Sequence, residues 1–169
     1  MLCTDIDDSE VLSLVPVIRE VYEEYRNTDQ ATRYGFRINL NDVNHYKQLD
    51  ILKDKYPNDD NLLRFMFTDR RDRGIHVDYP GCVMPNVLIF PVVGFGDNFV
   101  NKWWNVKSAT ILQDEYNKFI DTSKPFDVEE IHSHVIDRPC IFNPNVWHSL
   151  ENKKKEFRVI ARWWLKQSQ

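Results

Sequence analysis

Within Gly74-Ile75-His76-Val77-Asp78-Tyr79-Pro80, a histidine and an aspartate stand two residues apart in a run that reads as a short strand ending at a turn. Side chains at i and i+2 of a strand project from the same face. His76 and Asp78 can therefore aim an imidazole nitrogen and a carboxylate oxygen at one point. That supplies two of the three protein ligands of a facial metal triad. Alone the pair is a weak motif, because Asp78 capping a surface turn with His76 as a bystander explains it more simply.

Two later features complete the set. His148 lies on a short strand over residues 146–150, and Arg158 opens a last strand over residues 157–165. The charged turn between them, residues 151–156, is short, so the two strands are expected to be hairpin neighbours with His148 and Arg158 facing one interior. Two imidazoles and a carboxylate on one face of an octahedral metal leave three positions open. A bidentate 2-oxo acid takes two and O₂ the third. The far carboxylate of such an acid, buried at the end of an apolar slot, needs a cation, and the guanidinium fork of arginine pairs with it bidentately. Arg162 lies four residues further along the same strand and shares the face of Arg158. It is the alternative carboxylate partner or a group that meets substrate nearer the mouth. The hairpin geometry favours Arg158.

The ordered set His76-Val77-Asp78, then His148, then Arg158 resembles the HxD…H…R signature of the 2-oxoglutarate- and Fe(II)-dependent dioxygenases. Proline–aromatic punctuation before the distal histidine (Pro144, Trp147), an asparagine after it (Asn152) and an arginine-led apolar final strand are also similar. The resemblance spans residues 62–165 and is nearest to the small single-domain members of the phytanoyl-CoA-hydroxylase-like and prolyl-hydroxylase-like branches. It implies a double-stranded β-helix (cupin-like jelly-roll) core. It also implies Fe(II) held by His76, Asp78 and His148, and 2-oxoglutarate held by Arg158 or Arg162. The implied activity is hydroxylation, consuming O₂, of an unidentified small molecule or peptide.

Two other readings compete. His132-Ser133-His134, on a strand over residues 129–136, forms an HxH pair that would join His148 in a non-oxygenase cupin site, with Asn152 also at a cupin-like spacing. The glycines expected of such a cupin are missing from this region. The other reading is a non-catalytic β-sandwich that serves as a binding module. Of the five tryptophans, Trp147 and Trp163 are out of phase with the ligand positions, while Trp103 or Trp104 could line a substrate pocket. Tyr79 reads as structural and His45 as a surface residue.

The elements that must position these groups follow from periodicity. Ser9 is a candidate N-cap for an amphipathic helix ending near Asn27, with Pro16 pushing its start toward Val15. A strand over residues 33–40 precedes a second helix over residues 43–56, capped by Asn41 or Asp42. The pattern then turns β: residues 62–68, 75–78, 85–93, 99–106, 129–136, 139–142, 146–150 and 157–165, with residues 108–120 ambiguous between strand and helix. The fold class expected is α+β, mainly β. It is a single domain over residues 1–169, with a helical cover (1–60) packed outside a β core (61–166).

Bulk properties are consistent with this. A chain of 169 residues with 42% apolar and 13% aromatic content can bury a core without disulfides. Cys3, Cys82 and Cys140 are widely spaced and read as free thiols of a reducing compartment. There is no apolar run long enough to span a bilayer and no secretory leader, so a cytoplasmic location is expected. A net charge of −4 makes nucleic acid an unexpected partner. The charge runs at residues 69–73 and 153–155 read as solvated turns.

Overall fold

The structure is a computed structural model and describes residues 1–68, 73–78 and 85–166. The charged segment 69–72, Tyr79 and the thiol of Cys82 lie outside the described residues. In chain order the elements are β1 (Cys3–Asp5), α1 (Ser9–Leu12), α2 (Leu14–Tyr25), β2 (Gly35–Asn39), a 3₁₀ turn (Lys47–Leu49) and α3 (Asp50–Lys55). Ten further strands follow: β3 (Leu62–Thr68), β4 (Arg73–Asp78), β5 (Val87–Val93), β6 (Phe99–Ser108), β7 (Ile111–Gln113), β8 (Asn117–Ile120), β9 (Asp127–Val135), β10 (Cys140–Phe142), β11 (His148–Asn152) and β12 (Arg158–Trp164).

These strands form two antiparallel sheets stacked as a sandwich. The first runs β1-β10-β5-β12-β3-β2 and the second β7-β8-β4-β11-β6-β9. The fold is mainly β, and the N-terminal helices cover the outer face of the first sheet. Leu14, Ile18, Val21 and Tyr22 of α2 pack there against Phe36, Phe65, Phe90 and Trp163. A second apolar cluster, built on Val87, Ile89, Trp103, Cys140 and Phe142, lies between the sheets. β5 shows why its sequence is nearly continuous in apolar residues. Leu88 and Phe90 face the helices while Val87 and Ile89 face the other sheet, so both faces are buried. Pro91 cannot donate to the ladder, and the register between β5 and β12 shifts beside it, at Val159/Ile160.

The helical region differs from expectation. Asp8, not Ser9, caps the first turn, its Oδ1 accepting from the amides of Glu10 (2.9 Å) and Val11 (3.4 Å). Pro16 sits in the first turn of α2, where its missing N–H costs nothing. The helix expected over 43–56 shrinks to the 3₁₀ turn and α3. Upstream of it Asn39 accepts from the Asn41 amide at 2.9 Å, a local bond that competes with helix formation, and Tyr46 is held by Glu24 at 2.7 Å. The ambiguous segment is resolved as the β7–β8 hairpin, whose turn is capped by Asp114. β1 was not anticipated from the sequence and pairs with β10. No helix among the described residues is long and apolar enough to cross a membrane.

One correction bears on the site. β11 and β12 are not hairpin partners. β11 pairs with β4 and β6, whereas β12 pairs with β3 and β5 in the opposite sheet. The chain crosses between sheets at residues 153–157. Asn152 organises the crossing: its amide donates to the Glu156 carbonyl (2.7 Å) and accepts from the Glu156 amide (3.1 Å). Backbone groups that a hairpin ladder would pair are satisfied by this side chain instead.

Candidate metal centre

β4 and β11 lie side by side, and their register places His76 directly opposite His148. The imidazole centroids are 4.3 Å apart. A bulge between His148 and Leu150 interrupts the β4–β11 pairing, the kind of irregularity that re-aims side chains beside a site. Asp78 follows on the same face of β4, with its Oδ1 3.4 Å from His76 Nε2. One ligand atom from each of His76, Asp78 and His148 lies within 4.8 Å of the others, the only such group of three among the described residues.

The tautomers are set by the backbone. Nδ1–H of His76 donates to the Gly74 carbonyl at 2.7 Å, and Nδ1–H of His148 donates to the Val146 carbonyl at 2.8 Å. Each imidazole is thus held by the residue two positions earlier, and each keeps the Nε2 lone pair for the cluster. On His76 that lone pair faces a carboxylate oxygen, an acceptor against an acceptor. A cation between them relieves the repulsion. Ligand atoms about 2.1 Å from a metal stand ~3 Å apart when adjacent on an octahedron; the 3.4 Å between His76 and Asp78 is near that spacing, and the three atoms, all within 4.8 Å, would draw in around an ion.

Electrostatics agree. Burial alone would raise the Asp78 carboxyl. The neighbouring His76 imidazole and the charge of Arg162 outweigh burial and hold it well below the usual carboxylate range. Burial, reinforced by the neighbouring His76, pushes His148 down to about 3, so its imidazole is neutral and available as a ligand. The residues present therefore fit a divalent metal with two imidazoles and one monodentate carboxylate.

The two arginines are in different states. Arg162 donates from its terminal nitrogen to Asp78 Oδ2 at 2.8 Å, leaving Oδ1 for the cluster. Arg158 is 3% exposed, and it has no carboxylate partner among the described residues. Its guanidinium lies 5.6 Å over the Phe99 ring, and its Nε makes no hydrogen bond. Burial lowers it to about 10, so it remains charged at neutral pH. Both arginines and all three candidate ligands line one cavity of about 70 Å³ between the sheets. A water occupies roughly 10–15 Å³ on this measure, so the space is larger than one solvent molecule needs.

The competing histidines do not join. β9 is the edge strand, two strands (~10 Å) from β11. His134 pairs with Asp5 at 2.9 Å, and His132 packs 5.3 Å from Trp103. Asn152, the other cupin-like position, is used in the crossing. Trp103 is fully buried between the sheets, and Trp104 donates to Ser149 Oγ at 2.9 Å. Neither tryptophan lines the cavity. Trp163 faces the helices, as its phase requires, and His45 is on the surface beside Glu24.

Sequence reasoning missed Asn101, which lines the cavity and whose buried amide nitrogen has no hydrogen-bond partner among the described residues. The available signal was an amide in the inward phase of β6, between Phe99 and Trp103.

A scan against protein-family models finds no match to this chain. Searches of curated proteins and of solved structures likewise find no significant match.

Proposed function

We propose that the protein is an Fe(II)- and 2-oxoglutarate-dependent oxygenase that hydroxylates a small molecule or peptide. The observation that carries this reading is Arg158. A buried guanidinium without a carboxylate is costly to keep. Here it shares a cavity between the sheets with a His/Asp/His set, so a small acid bound between them accounts for both features at once. The strand order supports the reading. Without β1, β2, β7 and β8 the sheets run β10-β5-β12-β3 and β4-β11-β6-β9. That order of the remaining eight is the one a double-stranded β-helix, or jelly roll, would have.

In this account His76, Asp78 and His148 hold the metal, and Arg162 fixes Asp78 so that it offers one oxygen. Arg158 binds the distal carboxylate of 2-oxoglutarate and sets its direction. Ile89, Phe142 and Ile160 keep the slot apolar, which strengthens that ion pair. With metal and co-substrate bound, the chemistry supplied is the coupled conversion of 2-oxoglutarate and O₂ to succinate and CO₂ with insertion of one oxygen atom into a substrate C–H bond.

The test is succinate release. Protein supplied with Fe(II), O₂ and 2-oxoglutarate, alone and with a panel of amino acids, peptides and metabolites, is expected to form succinate. His76→Ala and His148→Ala should abolish release and His132→Ala should preserve it. Release that survives His76→Ala, or that none of the panel elicits from wild type, contradicts the proposal.

A further inference from the structure

We infer that Asn101 is a second anchor for the co-substrate, its side-chain amide donating to the distal carboxylate that Arg158 holds. The inference rests on the reading above and extends it to a residue that no signature motif includes. Successive inward positions of β6 are Phe99, Asn101 and Trp103. Phe99 lies beneath the Arg158 guanidinium. Trp103 is paired in register with His148, and Asn101 with Leu150. Asn101 therefore occupies the level between the buried cation and the candidate ligands, on the sheet opposite Arg158. It is 6% exposed, and its Nδ2 has no hydrogen-bond partner among the described residues.

A buried amide N–H₂ left unpaired is rare, and so is a buried guanidinium. Finding both on one small cavity defines a ligand end that accepts several hydrogen bonds and carries negative charge. A carboxylate meets that description, and a neutral carbonyl or hydroxyl does not. The division of labour follows from chemistry. Arg158 supplies charge, and Asn101 supplies direction from the facing wall without adding charge. The carboxylate is thereby fixed from two sheets, and the opposite end of the acid is aimed at the triad.

The experiment is calorimetric titration of the full chain loaded with Co(II) in place of iron, so that no turnover occurs. The probes are 2-oxoglutarate and 2-oxobutyrate; the latter keeps the chelating end but lacks the distal carboxylate. Asn101→Leu is expected to weaken 2-oxoglutarate binding about tenfold or more, as for a hydrogen bond to a charged group. Binding of 2-oxobutyrate and of Co(II) should be unchanged. Asn101→Asp, which keeps the volume but presents a carboxylate, should weaken 2-oxoglutarate further and serves if the leucine variant folds poorly. The inference is overturned if Asn101→Leu leaves 2-oxoglutarate affinity unaltered, or weakens both acids equally, while Arg158→Met still weakens 2-oxoglutarate. Absence of 2-oxoglutarate binding by wild type overturns the oxygenase reading as well.

Discussion

Arg158 and Arg162 sit on one strand, face one cavity and do different things. Arg158 carries a buried charge with no anion among the described residues, so its contribution to the stability of the ligand-free protein is unfavourable. Arg158→Met should therefore stabilise that state, by about 1–4 kcal/mol in denaturant unfolding, while abolishing 2-oxoglutarate binding. Arg162→Gln should act on the metal instead. Loss of the clamp on Asp78 is expected to lower metal affinity about 10- to 100-fold in a chelator competition. His148 sets an acid dependence. Its imidazole is pushed from 6.5 down to about 3 in the folded chain. Between those values the unfolded chain holds the extra proton, so stability is complete above the unfolded value and is lost as pH falls. The Asp78 carboxyl, also lowered on folding, adds loss in the same direction at lower pH. Unfolding of metal-free protein from pH 7 to pH 4 should show this decline, and His148→Gln should flatten its upper part. The candidate ligand positions could be read from the sequence because the period of a strand alone places His76 and Asp78 on one face. The separate duties of the arginines could not, because they depend on which side chain reaches Asp78 across the sandwich.

The strands show where local pattern suffices and where it fails. β3, β4, β5 and β12 were found near their true limits, since alternation and buried runs report directly on the pleat. The sequence pattern pairs β11 with β12, and the structure does not. A short charged turn reads as a hairpin, but Asn152 binds the backbone of Glu156 and sends the chain to the other sheet. That crossing makes Arg158 face His148 instead of standing beside it. The turn after β5 supports the same point of the structure. Gly94 has φ +61°, and a Cβ there would lie 2.3 Å from the Phe157 carbonyl oxygen. Gly94→Ala must displace the residue preceding Arg158 as well as adopt a strained conformation. It should cost about 1–3 kcal/mol in unfolding and also weaken 2-oxoglutarate binding. Gly96 also has a positive φ, but nothing lies within 4 Å of a Cβ there, so alanine at that position should cost less and leave binding unchanged.

For the molecule as a whole, two sheets bring together residues from β4, β6, β11 and β12. The N-terminal helices brace the outer face of the sheet that carries both arginines. The site is thus a property of the sandwich and not of any one segment, and only the folded chain offers all the ligands together. A metal bound there would stabilise folding by mass action, by about 2.7 kcal/mol at a metal concentration 100 times the dissociation constant. The central claim is that one cavity holds the metal and the 2-oxo acid together. Its most direct measurement is the visible absorbance of the protein mixed anaerobically with Fe(II) and 2-oxoglutarate. A weak charge-transfer band that requires both components, disappears in His76→Ala and persists in His132→Ala is the predicted result. A band that persists in His76→Ala, or that is lost only in His132→Ala, would contradict it.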